Sequence, residues 1–373
     1  MLYLLRGFIV AVAILAGASP ASSGDIRVGF VNPNQPAEFW GLVSTTMRAA
    51  AAELGIDVDI RLADGSHDKA MQLARELLDQ KPPLDYIIGT NDLKFGTDLI
   101  KLAEAAGVPL LLLSNDLDRK DWAEYGEPRS KYRHWLGSIV PDHESGGYGI
   151  AEAILTEAAR IKSTRPLKLL ALSGEDSNPA GNDRVRGLKR SVEVMGKLLG
   201  PNSVELVDVR YLDWNQKTAE VSVRDFVQKG PRIDALWAAN DPMALGALTA
   251  LREAGYQPGK DVVVGGLNWN QPAIVEVLKG DMLLSHGGHF LGGAWAMVLL
   301  RDHHDGRDFA EEDVRLQFPM GAFDKQVANR FPNIGSLDWT KVDFTKFSKS
   351  RNPTITRYDF SPDAVLSLLS GVR

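Results

Sequence analysis

Residues 26–62 read IRVGFVNPNQPAEFWGLVSTTMRAAAAELGIDVDIRL. The run 26–31 is short and mostly apolar, which suits a buried strand. Phe39, Val43, Met47, Ala50 and Leu54 then recur at three- and four-residue spacing, giving a helix one apolar face until Gly55 ends it. Val58, Ile60 and Leu62 alternate as in a second strand. Strand, helix, strand is the βαβ unit of a parallel sheet.

The same alternation continues outward. A helix over 68–80, stopped by Pro82 and Pro83, leads to a strand at 85–89; a helix over 96–106 ends at Gly107 before a strand at 108–114. After an irregular segment, 117–134, strands are expected near 136–140, 168–173, 204–209, 235–239, 262–267 and 282–285, with helices between them. Two such series imply two lobes, and an internal echo links them. Gln80-Lys81-Pro82, Leu84-Asp85, Asn91-Asp92 and Glu104-Ala105-Ala106-Gly107 match Gln228-Lys229-Gly230-Pro231, Ile233-Asp234, Asn240-Asp241 and Glu253-Ala254-Gly255 at an offset of 148 or 149 residues. The expected fold class is α/β, with two doubly wound parallel-sheet lobes. The first takes 24–140 plus 287–319 and the second 141–286 plus 320–373, with the docking of the tail 331–373 left open between the lobes. Three chain crossings, near 140–142, 285–288 and 319–321, form the hinge between them.

Composition narrows the setting. Arg6 precedes the apolar run 7–17, and the small residues 18–23 offer cleavage after Ala21, the layout of an export leader over 1–23. That run is too short to span a bilayer, and no comparable one recurs, so the mature chain is expected free in an aqueous compartment, without membrane insertion. With no Cys there are neither disulfides nor a cysteine-borne lipid anchor; a chain of about 350 mature residues buries enough apolar surface without them. The net charge of −6, or −7 without Arg6, argues against nucleic acid or an anionic membrane as partner.

In open parallel sheets ligands bind beyond the carboxyl ends of the strands. Those positions hold Asn32, Asn34, Phe39 and Trp40; Asn91 and Asp92; Asn115 and Asp116; Glu175, Asp176, Asn182 and Arg184; Asp213 and Trp214; Asn240 and Asp241; Asn268, Trp269 and Asn270; His286 and His289. Amides and carboxylates serve both the donor and the acceptor of a hydroxyl, and an aromatic face covers the apolar side of a sugar ring. Asn and Asp are also the usual helix caps, and Asp92 and Asp241, each opening a helix, are read as caps.

These residues resemble the ribose-type, type I periplasmic sugar-binding proteins, a group that includes periplasmic autoinducer receptors. The resemblance extends to about Met320. Its most specific part is Trp237-Ala238-Ala239-Asn240-Asp241-Pro242-Met243-Ala244-Leu245-Gly246-Ala247, similar to the family's NDxMALGA helix entry, whose Asn bonds ligand hydroxyls. Arg184, in Arg184-Val185-Arg186-Gly187, matches the family's ligand arginine, Trp214 an aromatic over the sugar ring, Phe39 and Trp40 its paired aromatics, and Asn34 the amide before them. Asn115-Asp116 stands where the family has Asp-Arg, Asn268 where it has an aspartate, and His286 to His289 where it has a glutamine-containing stretch. The ligand set that follows is Asn34, Phe39, Trp40, Asn115, Asp116, Arg184, Trp214, Asn240, Asn268 and His289. The resemblance implies a monomeric solute-binding protein of the periplasm. It closes on a sugar or sugar-like ligand without a cofactor, for the membrane permease of an ABC importer. Alternatively it presents the ligand to a membrane sensor kinase or cyclase, a reading to which the departures and the long tail 331–373 lend weight.

Two other classes find little in the chain. No Gly-x-Ser-x-Gly elbow, phosphate loop or Gly-x-Gly-x-x-Gly fingerprint is present, so an enzyme is not expected. His286 and His289, and the pair His303-His304, lack the flanking acids or Cys of a zinc site, so no metal is expected. His303 and His304 read as an exposed helix end.

Overall fold

The computed structural model describes residues 25–371 apart from 35, 36, 119, 164 and 231. The expected leader lies outside the described residues. Among them, twelve strands form two six-stranded sheets.

The first lobe runs β1 (Ile26–Asn32), α1 (Ala37–Leu54), β2 (Ile56–Leu62), α2 (His67–Leu78), β3 (Tyr86–Gly89), α3 (Phe95–Ala106), β4 (Leu110–Leu113), a one-turn α4 (Trp122–Tyr125) and β5 (Trp135–Pro141). The second runs α5 (His143–Ile161), β6 (Leu167–Ser173), α6 (Pro179–Leu199), β7 (Val204–Tyr211), α7 (Gln216–Gln228), β8 (Ala235–Ala238), α8 (Asp241–Glu253), β9 (Val263–Leu267), α9 (Gln271–Lys279) and β10 (Leu284–Gly287). The chain then returns to the first lobe with α10 (Gly292–His304) and β11 (Arg315–Phe318), and re-enters the second with β12 (Gly321–Asp324) and α11 (Lys325–Arg330). A final helix, α12, spans Pro362–Gly371.

Strand order is β2-β1-β3-β4-β5-β11 in one sheet and β7-β6-β8-β9-β10-β12 in the other. The echo over 80–107 and 228–255 therefore falls on topologically equivalent elements, β3 with α3 and β8 with α8. Central strands such as β3, β4, β8 and β9 are buried throughout because helices cover both faces. The edge strands β2 and β7 are half-exposed along most of their length. Pairing is parallel except for β12, which runs antiparallel to β10. Crossings between the sheets fall at 141–143, 287–289 and 318–321, within or beside the three expected segments.

Helices α5 and α6 form the most extensive helix pair. Their approach depends on glycine: a Cβ on Gly147 would lie 2.1 Å from the carbonyl oxygen of Arg184, and one on Gly187 would lie 1.9 Å from that of Glu144. This close crossing sets the height at which Arg184 leaves α6.

The tail, whose lobe the sequence leaves open, runs over both. Gln271 on α9 donates to the Pro332 carbonyl and accepts from Gly335 N. Beyond it, Trp339 meets Phe290 edge-on, and Phe344, Phe347 and Phe360 surround Trp295 of α10. Buried Asp302 accepts from Ser348 Oγ (2.6 Å), Lys349 N (2.7 Å), Ser350 N (2.9 Å) and Tyr358 Oη (3.0 Å). Pro362 then packs against Gly288 and Gly321, at two of the crossings. The physical reason is α10 itself: it is buried all round from Gly292 to Asp302, and its apolar outer face needs a cover that α1 alone does not supply. Nearby, His303 is half-buried with Nδ1 2.9 Å from the Tyr86 hydroxyl, while His304 is exposed as expected.

Candidate functional site

The carboxyl ends of the strands in both sheets face one another across a cleft that is open to solvent. Its lining comprises Phe39, Trp40, Asp92, Ser114, Asn115, His143, Asn178, Ala180, Arg184, Trp214, Asn240, Asn268 and His289. Four residues at these strand ends or beside them, Ser114, Trp214, Asn268 and Trp269, adopt positive φ values of 67°, 62°, 142° and 64°. Such backbone costs on the order of 1–3 kcal/mol per residue and persists where surrounding structure enforces it, characteristically at binding sites.

Each wall has its own chemistry. On the first lobe, Phe39 stacks on His289 at 4.6 Å between ring centres and meets Trp40 edge-on at 5.2 Å. Asn115 donates to Asp92 Oδ1 at 2.7 Å and keeps its own Oδ1 without a partner among the described residues. Burial pushes the Asp92 carboxyl up to about 6, with Glu175 adding a like charge.

On the second lobe, Arg184 is 5% exposed. It donates to the Ala239 carbonyl at 2.7 Å and to His143 Nδ1 and His289 Nε2 at 3.3 and 3.4 Å, with Trp214 5.6 Å from its centre. No carboxylate is hydrogen-bonded to it among the described residues, and burial lowers its pKa to about 9. Trp214 lies flat over Gly174, where a Cβ would come within 1.9 Å of the ring.

Two caps also face the cleft. Asn178 Oδ1 accepts from Gly181 N to cap α6 while its Nδ2 reaches Asp92 across the cleft at 3.4 Å. Asn240 caps α8 through Oδ1 and spends Nδ2 on the Trp214 carbonyl. Capping and facing the site are thus compatible roles for one amide.

Eight of the ten residues named from sequence line this cleft: Phe39, Trp40, Asn115, Arg184, Trp214, Asn240, Asn268 and His289. Asn34 and Asp116 do not. Asn34 turns toward the β1–β2 edge and donates to Asp64 at 2.8 Å, because its φ of 54° aims the side chain away. Asp116 accepts from Ser138 at 2.9 Å and lies 3.4 Å from Arg315, which holds it in an outer groove. Asp92, read as a cap, faces the cleft instead, whereas Asp241 is a structural pin bonded to Ser285 Oγ and Asn270 N. Ser114, His143, Asn178 and Ala180 were not foreseen. His143 follows β5 by two residues just as His289 follows β10, a symmetry the hinge positions could have signalled.

Residues 28–307 match the model of the periplasmic binding protein domain. The chain belongs to that family. A periplasmic sugar-binding protein from Pseudomonas fluorescens is 30% identical, with a TM-score of 0.80 over 91% of this chain and 99% of that one. The galactofuranose-binding protein YtfQ of Escherichia coli (strain K12) is 22% identical over 70% of this chain and 77% of its own. The ribose import binding protein RbsB of Bacillus subtilis (strain 168) is 24% identical over 70% and 76%. Among the described residues no helix is long and apolar enough to cross a membrane, and no group of three or more His, Asp or Glu is placed to hold a metal ion.

Proposed function

We propose that this periplasmic binding protein is exported, acts as a monomer, and captures a small neutral sugar or sugar-like polyol by closing its lobes, for delivery to an ABC-type membrane importer. The observation that carries this reading is the composition of the interlobe cleft. Four amides, one guanidinium, one carboxylate and three aromatic faces line one interlobe space. A ligand touching both walls gains contacts only on closure, which is the differential affinity that shifts the population. At roughly 0.5–1.5 kcal/mol net per hydrogen bond, eight or so bonds less ordering costs support a micromolar or tighter dissociation constant. One positive and one negative side chain in the cleft favour a neutral ligand. The family is one of binding proteins, and the names of the relatives speak of binding and import, which supports capture over turnover.

The test is a thermal-shift and calorimetric screen against D-ribose, D-allose, L-arabinose, D-galactose and myo-inositol. A true ligand at 100 times its dissociation constant adds about 2.7 kcal/mol of stability. No shift with any sugar or polyol, or chemical conversion of one that binds, overturns the reading.

A further inference from the structure

Arg184 is the charged centre of the second-lobe wall, yet what holds it, besides the Ala239 carbonyl, is a pair of imidazoles. Its Nε and Nη2 lie 3.3 Å from His143 Nδ1, and Nη2 lies 3.4 Å from His289 Nε2. A guanidinium has only donors, so each of these ring nitrogens must be unprotonated and accepting. The tautomers follow. His143 carries its proton on Nε2, which points at the Ser114 carbonyl at 3.3 Å. His289 carries its proton on Nδ1, which has no partner among the described residues although the side chain is only 2% exposed.

The placement matters as much as the bonds. His143 lies two residues past the end of β5 and His289 two past β10, so each ring sits just beyond a hinge crossing. His289 also stacks on Phe39 of the first lobe, while Arg184 belongs to the second. The bridge from Arg184 to His289 therefore spans the lobes.

We propose that His143 and His289 are positioning residues that hold Arg184 as an un-neutralised donor for the ligand, and that protonating either ring in acid disassembles this arrangement and releases the ligand. A second cation beside the guanidinium would lose the hydrogen bond and add like-charge repulsion.

The surroundings agree. Burial, then Arg184, hold both imidazoles well below the usual histidine range, and His286 on β10 adds to this at His289. Facing the trio are Asp183 on α6 and Asp241 on α8, which favour the charged guanidinium. Asp92 stands across the cleft, with Glu175 beside it. Closing the lobes around neutral rings means that acid works against the closed form.

The release step rests on the sugar-capture reading, but the tautomers do not, so two arms separate the failures. In the first, ¹⁵N-histidine spectra of the ligand-free full chain should show His143 Nδ1 and His289 Nε2 unprotonated at pH 7.5 and still so at pH 5.5. Signals for the opposite tautomer, or for a charged ring at pH 7.5, overturn the proposal without any ligand. In the second, D-ribose, D-allose and myo-inositol are titrated into wild type and variants by calorimetry. His289→Phe keeps the stack but removes the acceptor, and should bind on the order of 10-fold more weakly. His289→Gln keeps an accepting oxygen and should stay within a few-fold of wild type. Wild type should lose on the order of 10-fold in affinity as the pH is lowered from 5.5 to 4, where the rings take up protons, and the double variant His143→Gln, His289→Gln should lose much less. Asp92→Asn serves as the control for the other titrating group, and its acid loss should persist. If His289→Phe matches wild type, or the double Gln variant keeps the full acid loss, the positioning role is wrong. If no probe binds wild type, the sugar-capture reading fails and the spectra alone decide the tautomers.

Discussion

The amide nitrogen of Asn178 on the second lobe lies 3.4 Å from the carboxylate of Asp92 on the first. It is a direct polar link across the cleft, and it touches a carboxyl whose ionisation the site opposes. Burial raises the Asp92 carboxyl to about 6. A carboxyl raised on folding contributes stability that is fully present below its unfolded value near 4 and lost as pH rises through about 6. Replacing it by Asn removes that loss. Asp92→Asn should therefore stabilise the ligand-free protein at pH 7.5 by on the order of 1–3 kcal/mol, with the difference vanishing toward pH 4. Affinity for the sugar should fall, since a charged acceptor is gone. Urea denaturation at the two pH values, paired with calorimetry, measures both effects. Equal stability at pH 7.5 contradicts the buried, ionised carboxylate.

Arg184 and Asn240 separate capture from folding. Arg184→Ala removes a buried cation that no carboxylate neutralises by hydrogen bonding, so stability should hold while affinity drops by about 10- to 100-fold, the worth of hydrogen bonds from a charged group. Asn240→Ala should lose a similar factor and in addition about 1 kcal/mol, because Asn240 also caps α8. Circular dichroism and calorimetry on the same samples decide the matter; two variants that bind as wild type does would move the site elsewhere.

The glycines of α6 give opposite expectations within one helix. Gly187→Ala forces a methyl to 1.9 Å from the Glu144 carbonyl, so α5 and α6 must part, at a cost of roughly 1–3 kcal/mol and with Arg184 displaced. Gly196→Ala meets nothing within 4 Å and should stabilise by about 0.5–1 kcal/mol. Thermal melts of the two variants should move in opposite directions.

The tail is anchored at Asp302. Asp302→Ala strands two backbone N–H groups and the hydroxyls of Ser348 and Tyr358, which should cost about 3–5 kcal/mol. The segment should then become the first point of cleavage in limited proteolysis. Unchanged stability and protease resistance would show that the aromatic contacts with Trp295 suffice without it.

Much of this architecture was legible because burial writes itself into sequence. Strands covered on both faces, such as 110–113, are continuous apolar runs, and α1 shows its inner face through Val43, Met47 and Ala50. The motif around Asn240 carried the second-lobe wall. What escaped had no periodic signal. Strand β12 is four residues long and half-exposed, so only the antiparallel pairing with β10 defines it. Asp92 and Asn178 look like any cap in a strand-to-helix turn, and only three-dimensional closure shows that Asn178 caps with its oxygen and faces Asp92 with its nitrogen. Asn34 and Asp116 carried the right chemistry at the right strand ends, but backbone twist at one and the pull of Ser138 and Arg315 at the other turned them aside.

Pro362 rests against Gly288 and Gly321, so helix α12 sits over the pivot and not at the outer end of either lobe. A fluorophore placed on that helix would move little in space as the lobes swing, yet its local packing would register every bend, whereas dyes on α2 and α7 would report the change in span. Constructing an optical sensor from this scaffold therefore calls for two labelling schemes with different readouts, intensity at the pivot and energy transfer between the lobes.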